Sequence, residues 1–534
     1  MSLMGLAGSL LATATWVAVV FWFVSLKITS FDHRQLWRSA TEPLRGRNAA
    51  LPALAFIGGW FILWVLFASQ NRYWSTFVLM LGVPYLLFAE FGTELLGFTI
   101  GLFGVAFNGL FGSTVEPDRD RFALPVDIYD SPADDVSRWG GAMHVPRRSL
   151  LTLGASGAGK SETLKHFVDQ LQNDPSEPVV VFDMKRDYQE FLEECGASMI
   201  RLSSQGSSTE IGSPIAWNIF EEIENESDAD EIARALFPKG RDDTNFFDTA
   251  GRQLFAANLK YMKRELDNPT NADLVDYWQR ASPKKMHENL SRDGHEDLTA
   301  AASAIDPETA KQAGGVFSSA QQQVQDLFVG DFAKSGDFSI REYMANPQGR
   351  ILVLDYPTRQ SETIAPVFRY LIDESIKHGM SDPHRSAYYL LDEIEHMGVS
   401  ISRLGELINV GRGNNCQAIL SLQSVAQLQD TYGKERANAL LSGMHTVIGL
   451  RTADEPSVDF LRETVGTEFN EYTGHVERKE APLGGGMVET SREMKTEEEH
   501  KFAKGDLRSF EAGEAVICRQ GKGYVHGRIR MLGQ

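Results

Sequence analysis

Residues 150–164 read LLTLGASGAGKSETL. Ser149 to Leu153 has the apolar, β-branched character of a short buried strand. Gly154, Gly159, Lys160 and Ser161 fill the pattern GxxxxGK[ST], and SETLKHFVDQL has helical spacing. Strand, loop and helix in this order are the context the pattern needs. Small residues let consecutive backbone N–H groups curl around phosphate oxygens at a helix N-terminus, where the macrodipole favours anions. The loop therefore predicts ATP binding through Gly154, Ala155, Ser156, Gly157, Ala158, Gly159, Lys160, Ser161 and Glu162. Lys160 would reach the β and γ phosphates, and the Ser161 hydroxyl would bind Mg²⁺.

Hydrolysis needs a second, acidic site. AYYLLDEIEHM, residues 387–397, runs apolar and then presents Asp392 and Glu393, the look of a buried parallel strand delivering two carboxylates to its C-terminal edge. Asp392 is suited to the Mg²⁺ shell, and Glu393 to polarising the attacking water as general base. Two acids that merely cap a following helix are the plainer alternative. Further short apolar runs, VVVFDM (179–184), RILVLDY (350–356), QAILSL (417–422) and HTVIGLR (445–451), alternate with helical patterns. This predicts an α/β fold with a mostly parallel sheet and right-handed crossovers. Between residues 222 and 335 only helical spacing is found, which predicts an all-helical insertion dividing the nucleotide-binding domain into 114–221 and 336–534.

Composition limits the partners. The chain has 534 residues, 72 acidic against 52 basic side chains and a net charge of −20, which argues against coating nucleic acid over its whole surface. A local basic channel, with Lys239, Arg241, Lys284 and Lys285 as candidates, remains compatible with that balance; so does adaptation to a salty cytosol. Cys195, Cys416 and Cys518 are far apart and form no CxxC pair, so neither a disulfide framework nor a zinc site is indicated.

Hydropathy divides the chain at about residue 113. The runs 5–26 and 51–69 have the length and apolarity of membrane spans, and the first lacks the basic flank of a cleaved signal peptide. Basic residues between them favour the cytoplasmic side, so an odd number of crossings places the ATPase part inside, with a third span at 75–93. Four crossings are the alternative. Gly97, Gly101, Gly104 and Asn108 form a small-residue stripe that could let helices approach. The expectation is a multi-pass protein of the cytoplasmic (inner) membrane.

The run LLDEIEHMGVSISRLGELINVGRGNNCQAILSLQSVAQLQDTYG, residues 390–433, resembles type IV secretion coupling proteins, the VirD4/TraG/TraD group of conjugation ATPases. DMKRD (183–187), SPIAWNIF (213–220) and the order of segments agree with it. The resemblance implies a RecA-like core related to the FtsK and HerA motors, and a hexamer that moves single- or double-stranded DNA, or relaxase-type nucleoprotein, towards envelope secretion channel components. It also implies that Gln423 senses the γ-phosphate and that Arg412, in GRG, serves the neighbouring subunit's nucleotide. Arg451 is a weaker candidate for that duty. A chromosomal translocase like FtsK and a nucleotide-controlled receptor with little turnover are the alternatives. The tail reads as an acidic helix-like piece, 493–510, followed by a β-hairpin.

Overall fold

Apolar runs almost 300 positions apart come together in one sheet, Leu150 pairing with Thr446. The computed structural model describes residues 121–532 apart from 132–137, 140–141, 173–175, 206–214, 238–245, 358–360 and 478–489. In chain order the strands are β1 (Arg121–Asp130), β2 (Arg138–Trp139), β3 (Ala142–Pro146), β4 (Leu150–Leu153), β5 (Val179–Asp183), β6 (Met199–Ser203) and β7 (Ile351–Asp355). There follow β8 (Ala387–Asp392), β9 (Cys416–Leu422), β10 (Thr446–Gly449), β11 (Thr467–Glu477), β12 (Thr490–His500), β13 (Glu514–Arg519) and β14 (Gly523–Ile529). Twelve of them form a sheet in the order β2-β3-β1-β14-β13-β10-β4-β9-β8-β5-β7-β6. From β10 to β6 the neighbours run parallel, whereas β13, β14, β1, β3 and β2 extend the sheet antiparallel.

The unbroken apolarity of the parallel strands follows from burial on both faces. Val179 and Val181 of β5 enter one core, while Val180 and Phe182 enter the other. A strand covered on both sides must be apolar at every position, which removes the alternation seen in half-exposed strands. Helices Lys160–Leu171 and Asp187–Cys195 cover the first face through Leu164, Phe167, Val168, Tyr188 and Leu192. Helix Ser361–Gly379 covers the other through Ile364, Phe368 and Leu371.

Between β6 and β7 the described residues hold helices, the longest being Phe246–Glu265 and Ala310–Leu327, and an isolated bridge between Trp217 and Phe338. Helix starts carry their own signals: Thr270 and Asp273 form a reciprocal capping box, and Ser282 caps a helix that begins with Pro283. Buried Glu222 joins the departing and returning chain, accepting from Trp217 Nε1 at 3.0 Å and from the Ile340 backbone at 2.7 Å.

Three elements differ from the sequence reading or add to it. β1 alternates, with Phe122, Leu124 and Val126 buried, a half-covered strand that a search for continuous apolar runs passes over. Of the piece 493–510 expected to be helical, residues 493–500 belong instead to strand β12, laddered antiparallel on β11 from Thr467↔His500 to Glu477↔Thr490, while Lys504–Ser509 is helical. Glu, Lys and Met favour helix locally, but a continuous ladder overrides a propensity worth only tenths of a kcal/mol per residue. The hairpin of the tail is β13–β14.

The multi-pass placement in the cytoplasmic membrane is corrected: among the described residues no helix is long and apolar enough to cross a membrane. Helix Phe246–Glu265, for example, is long enough but carries Asp248, Arg252, Lys260, Lys263 and Arg264. The spans expected at 5–26, 51–69 and 75–93, and the glycine stripe after them, lie outside the described residues.

Candidate active site

The C-terminal ends of the parallel strands build the site. After β4 the chain turns sharply through Gly154, whose N–H donates to Leu422 O at 3.1 Å, and Ala155, whose N–H donates to Arg451 O at 2.7 Å. A Cβ on Gly154 would lie 2.8 Å from that of Leu450, so only glycine lets the loop pass. Gly157 and Gly159 take positive φ, 71° and 105°, and Gly159 leads directly into the helix that starts at Lys160. Ser156 and Gly157 are exposed at the loop tip, Ala158 is buried, and Ser161 and Glu162 are half-buried in the first helical turn. Glu162 pairs with Lys165 at 2.8 Å.

Lys160 is buried, with Nζ 2.8 Å from Gly154 O and 3.4 Å from Glu393 Oε1. Asp392 ends β8, two strands away across β9. Its Oδ2 accepts from the Tyr188 hydroxyl at 3.0 Å, and its Oδ1 is buried without a hydrogen-bond partner. Burial pushes the Asp392 carboxyl up and the adjacent Glu393 charge adds to this, against the lowering pull of the nearby Ser421 and Tyr188 hydroxyls and of Lys160. A buried carboxylate oxygen without a hydrogen-bond partner, within the field of the P-loop lysine, suits a hard divalent cation, so the hydroxyl and carboxylate donors of Ser161 and Asp392 are of the kind Mg²⁺ takes. Glu393 has left-handed backbone, φ 48°, held by its N–H donating to Ser421 O at 2.9 Å. Burial alone would raise its carboxyl, but Lys185 Nζ at 2.8 Å and the Lys160 ammonium outweigh that and hold it below the ordinary glutamate range.

Gln423 follows β9 at the same edge. Its backbone N–H donates to Glu395 Oε1, and its side-chain Oε1 lies 3.1 Å from His396 Nε2. Burial lifts Glu395 to about 7. Asp183, at the end of β5, is lifted by burial to about 6, although it accepts from the backbone N–H groups of Lys185, Tyr188 and Gln189. The structure thus brings Lys160, Asp392, Glu393 and Gln423 to one edge.

It does not bring Arg412 there. That residue is exposed in the turn Gly411–Asn414, which precedes β9, whereas Gln423 follows it. A seven-residue strand separates the two by roughly 23 Å. Burial and then the guanidinium charges of Arg148, Arg412 and Arg519 hold the His445 imidazole below its ordinary pKa. Arg451, by contrast, stands beside the loop of its own subunit. Lys284 and Lys285 are exposed on helix Pro283–Leu290, and Lys239 and Arg241 lie outside the described residues. The sequence reading missed Tyr188, Lys185, Glu395 and His396. Lys185 belongs to the quoted DMKRD, but no local pattern announced its partner.

A glycine-rich loop between a parallel strand and a helix, faced by two strand-end acids, is the P-loop NTPase-like arrangement. Residues 143–501 match the family model described as the type IV secretion-system coupling protein DNA-binding domain, and the chain belongs to that family. The coupling protein TraD of Escherichia coli (strain K12) is 21% identical over 327 residues, 59% of this chain. That match spans only 43% of the relative's length. The bacterial conjugative coupling protein TrwB in unbound form superposes with a TM-score of 0.59 at 20% identity, over 77% of this chain and 93% of that one. TrwB with ADP and Mg²⁺ gives 0.56 at 20% identity, over 77% and 95%. TrwB with the ATP analogue ADPNP gives 0.57 at 19%, over 77% and 94%.

Proposed function

We propose that the chain is the ATP-driven motor of a type IV secretion or conjugation system, recruiting DNA or relaxase-type nucleoprotein and passing it to envelope secretion channel components. The reading is carried by one observation: Glu393 lies 3.4 Å from the P-loop lysine, next to an acid with a buried unpartnered oxygen. Family membership and the nucleotide complexes of TrwB support it. In this reading residues 154–162 cradle the triphosphate, Lys160 neutralises its β and γ oxygens, and Ser161 and Asp392 hold Mg²⁺. The ion, when bound, offsets negative charge on the transferring phosphoryl group. Glu393 accepts the proton of the attacking water, and Gln423 registers loss of the γ-phosphate through the loop after β9.

Arg412 is too far from its own loop to serve it, so its duty is proposed at the neighbouring subunit's nucleotide in a homo-hexamer, with its guanidinium offsetting charge in transfer. The division into 114–221, 222–335 and 336–534 is proposed as motor core, helical insertion and motor core. The test measures ATP turnover of the full-length protein with and without single-stranded and duplex DNA, with Lys160→Ala as blank. Turnover stimulated by either DNA is expected. An assembled ring whose turnover ignores both forms of DNA would overturn the DNA motor.

A further inference from the structure

Glu393 Oε1 is shared by two ammonium groups from different parts of the chain. Lys160 Nζ is 3.4 Å away, and Lys185 Nζ, from the turn after β5, is 2.8 Å away. A carboxylate oxygen engaged by two cations has little capacity left to take a proton from water. The two cations are not equivalent. Lys160 is buried and stands in the loop where the β and γ phosphates would draw it off, whereas Lys185 is half-exposed at the strand-end edge. Its hold on Glu393 therefore outlasts triphosphate binding.

The turn that carries Lys185 has a second distinctive feature. Arg186 takes left-handed backbone, φ 66°, as Glu393 does at the end of the neighbouring strand. For residues other than glycine this conformation persists only where the surroundings enforce it. Arg186 is tied outward: its Nε lies 3.4 Å from Asp355 Oδ1 at the end of β7, and an Nη lies 3.3 Å from Gln205 Oε1 just past β6. β6 is the strand from which the chain leaves the sheet for the helical insertion. A continuous set of contacts thus runs from the departure point of the insertion to the base at the P-loop.

We infer that Lys185 is a positioning residue that restrains Glu393: it holds Oε1 in a resting orientation after nucleotide has bound, and water activation requires the 183–187 turn to shift and release it. The inference rests on the ATPase reading above. In it, the insertion sets the timing of hydrolysis through Arg186 and the turn, so that fuel is spent when cargo engages.

The test uses the full-length protein and three substitutions. Lys185→Ala is expected to raise ATP turnover without DNA by roughly two- to fivefold, the scale of a partly exposed ion pair, with KM for ATP little changed. The ratio of DNA-stimulated to basal turnover should fall by a similar factor. Lys185→Arg, which keeps a cation within reach, should behave like the wild type, and Lys185→Gln gives a second neutral variant should alanine disturb folding. Equal or lower basal turnover in both neutral variants overturns the inference. A basal rise in Lys185→Ala that Lys185→Arg does not reverse also overturns it. Whether wild-type turnover responds to DNA reports separately on the motor reading, since the change in basal rate is read without DNA.

Discussion

The two ends of β9 differ in chemistry. At the Gln423 end the residues are acidic and buried: Asp183, Asp392, Glu393 and Glu395 are all below a tenth exposed, with Lys160 and Lys185 among them. At the Arg412 end the groups are cationic, and Arg412 itself is exposed and makes no ion pair among the described residues. A catalytic edge must pre-organise its charges before substrate arrives, because dipoles and ions that need not reorient act most strongly on the transition state. An edge that acts on a neighbour must leave its charge uncommitted. The first pattern suits a site completed within one subunit, the second a site completed between subunits.

The largest expected effect comes from breaking the exposed end. Arg412→Ala should lower ATP turnover by about 10³-fold or more while nucleotide binding by the same subunit is kept, the scale of arginine contributions in other P-loop enzymes. Mixing this variant with Glu393→Gln subunits should recover part of the rate, because some interfaces then pair an intact base with an intact arginine. Recovery at no mixing ratio would place the arginine outside the reaction. Next in size, Glu393→Gln alone should lower turnover by roughly 10² to 10⁴ without weakening ATP binding, measured by a fluorescent nucleotide analogue.

Two smaller effects sharpen the buried end. Tyr188→Phe removes the donor to Asp392 Oδ2 and leaves a buried acceptor unpaired, which should cost about 1–3 kcal/mol in denaturant unfolding. An Arg412→Ala control should leave that midpoint unchanged. Glu395 gives the pH dependence. Its folded carboxyl is raised to about 7 from an ordinary 4.5, so the folded state holds a proton that the unfolded chain has lost. Its contribution to stability is complete below the unfolded value and is lost as pH rises towards the folded one. Between about pH 4.5 and 7 the wild type should therefore lose stability relative to Glu395→Gln, which carries no titrating proton. Parallel stability curves for the two proteins would remove Glu395 from this account.

How much was legible depended on how local each signal was. The P-loop is a contiguous pattern because its backbone turn needs glycine at defined positions, and the structure shows that turn with positive φ at Gly157 and Gly159. The buried parallel strands announced themselves because burial on two faces leaves no polar position. β1 and β12 did not: one is half-covered, and the other is a charged strand that depends on its partner β11. The residues around the two acids were silent for a further reason. Tyr188 meets Asp392 across 204 positions, and Lys185 meets Glu393 across 208.

By itself the sequence determined the class of fold, the phosphate-binding loop and the two acids that face it, since each follows from short-range steric and hydrophobic requirements written within a dozen residues. The order of the strands, the pairing of Lys185 with Glu393 and the placing of Arg412 at the far edge were decided by tertiary structure. Those relations arise when parallel strands distant in the chain are brought side by side, which sets which strand ends share an edge and therefore which charges meet.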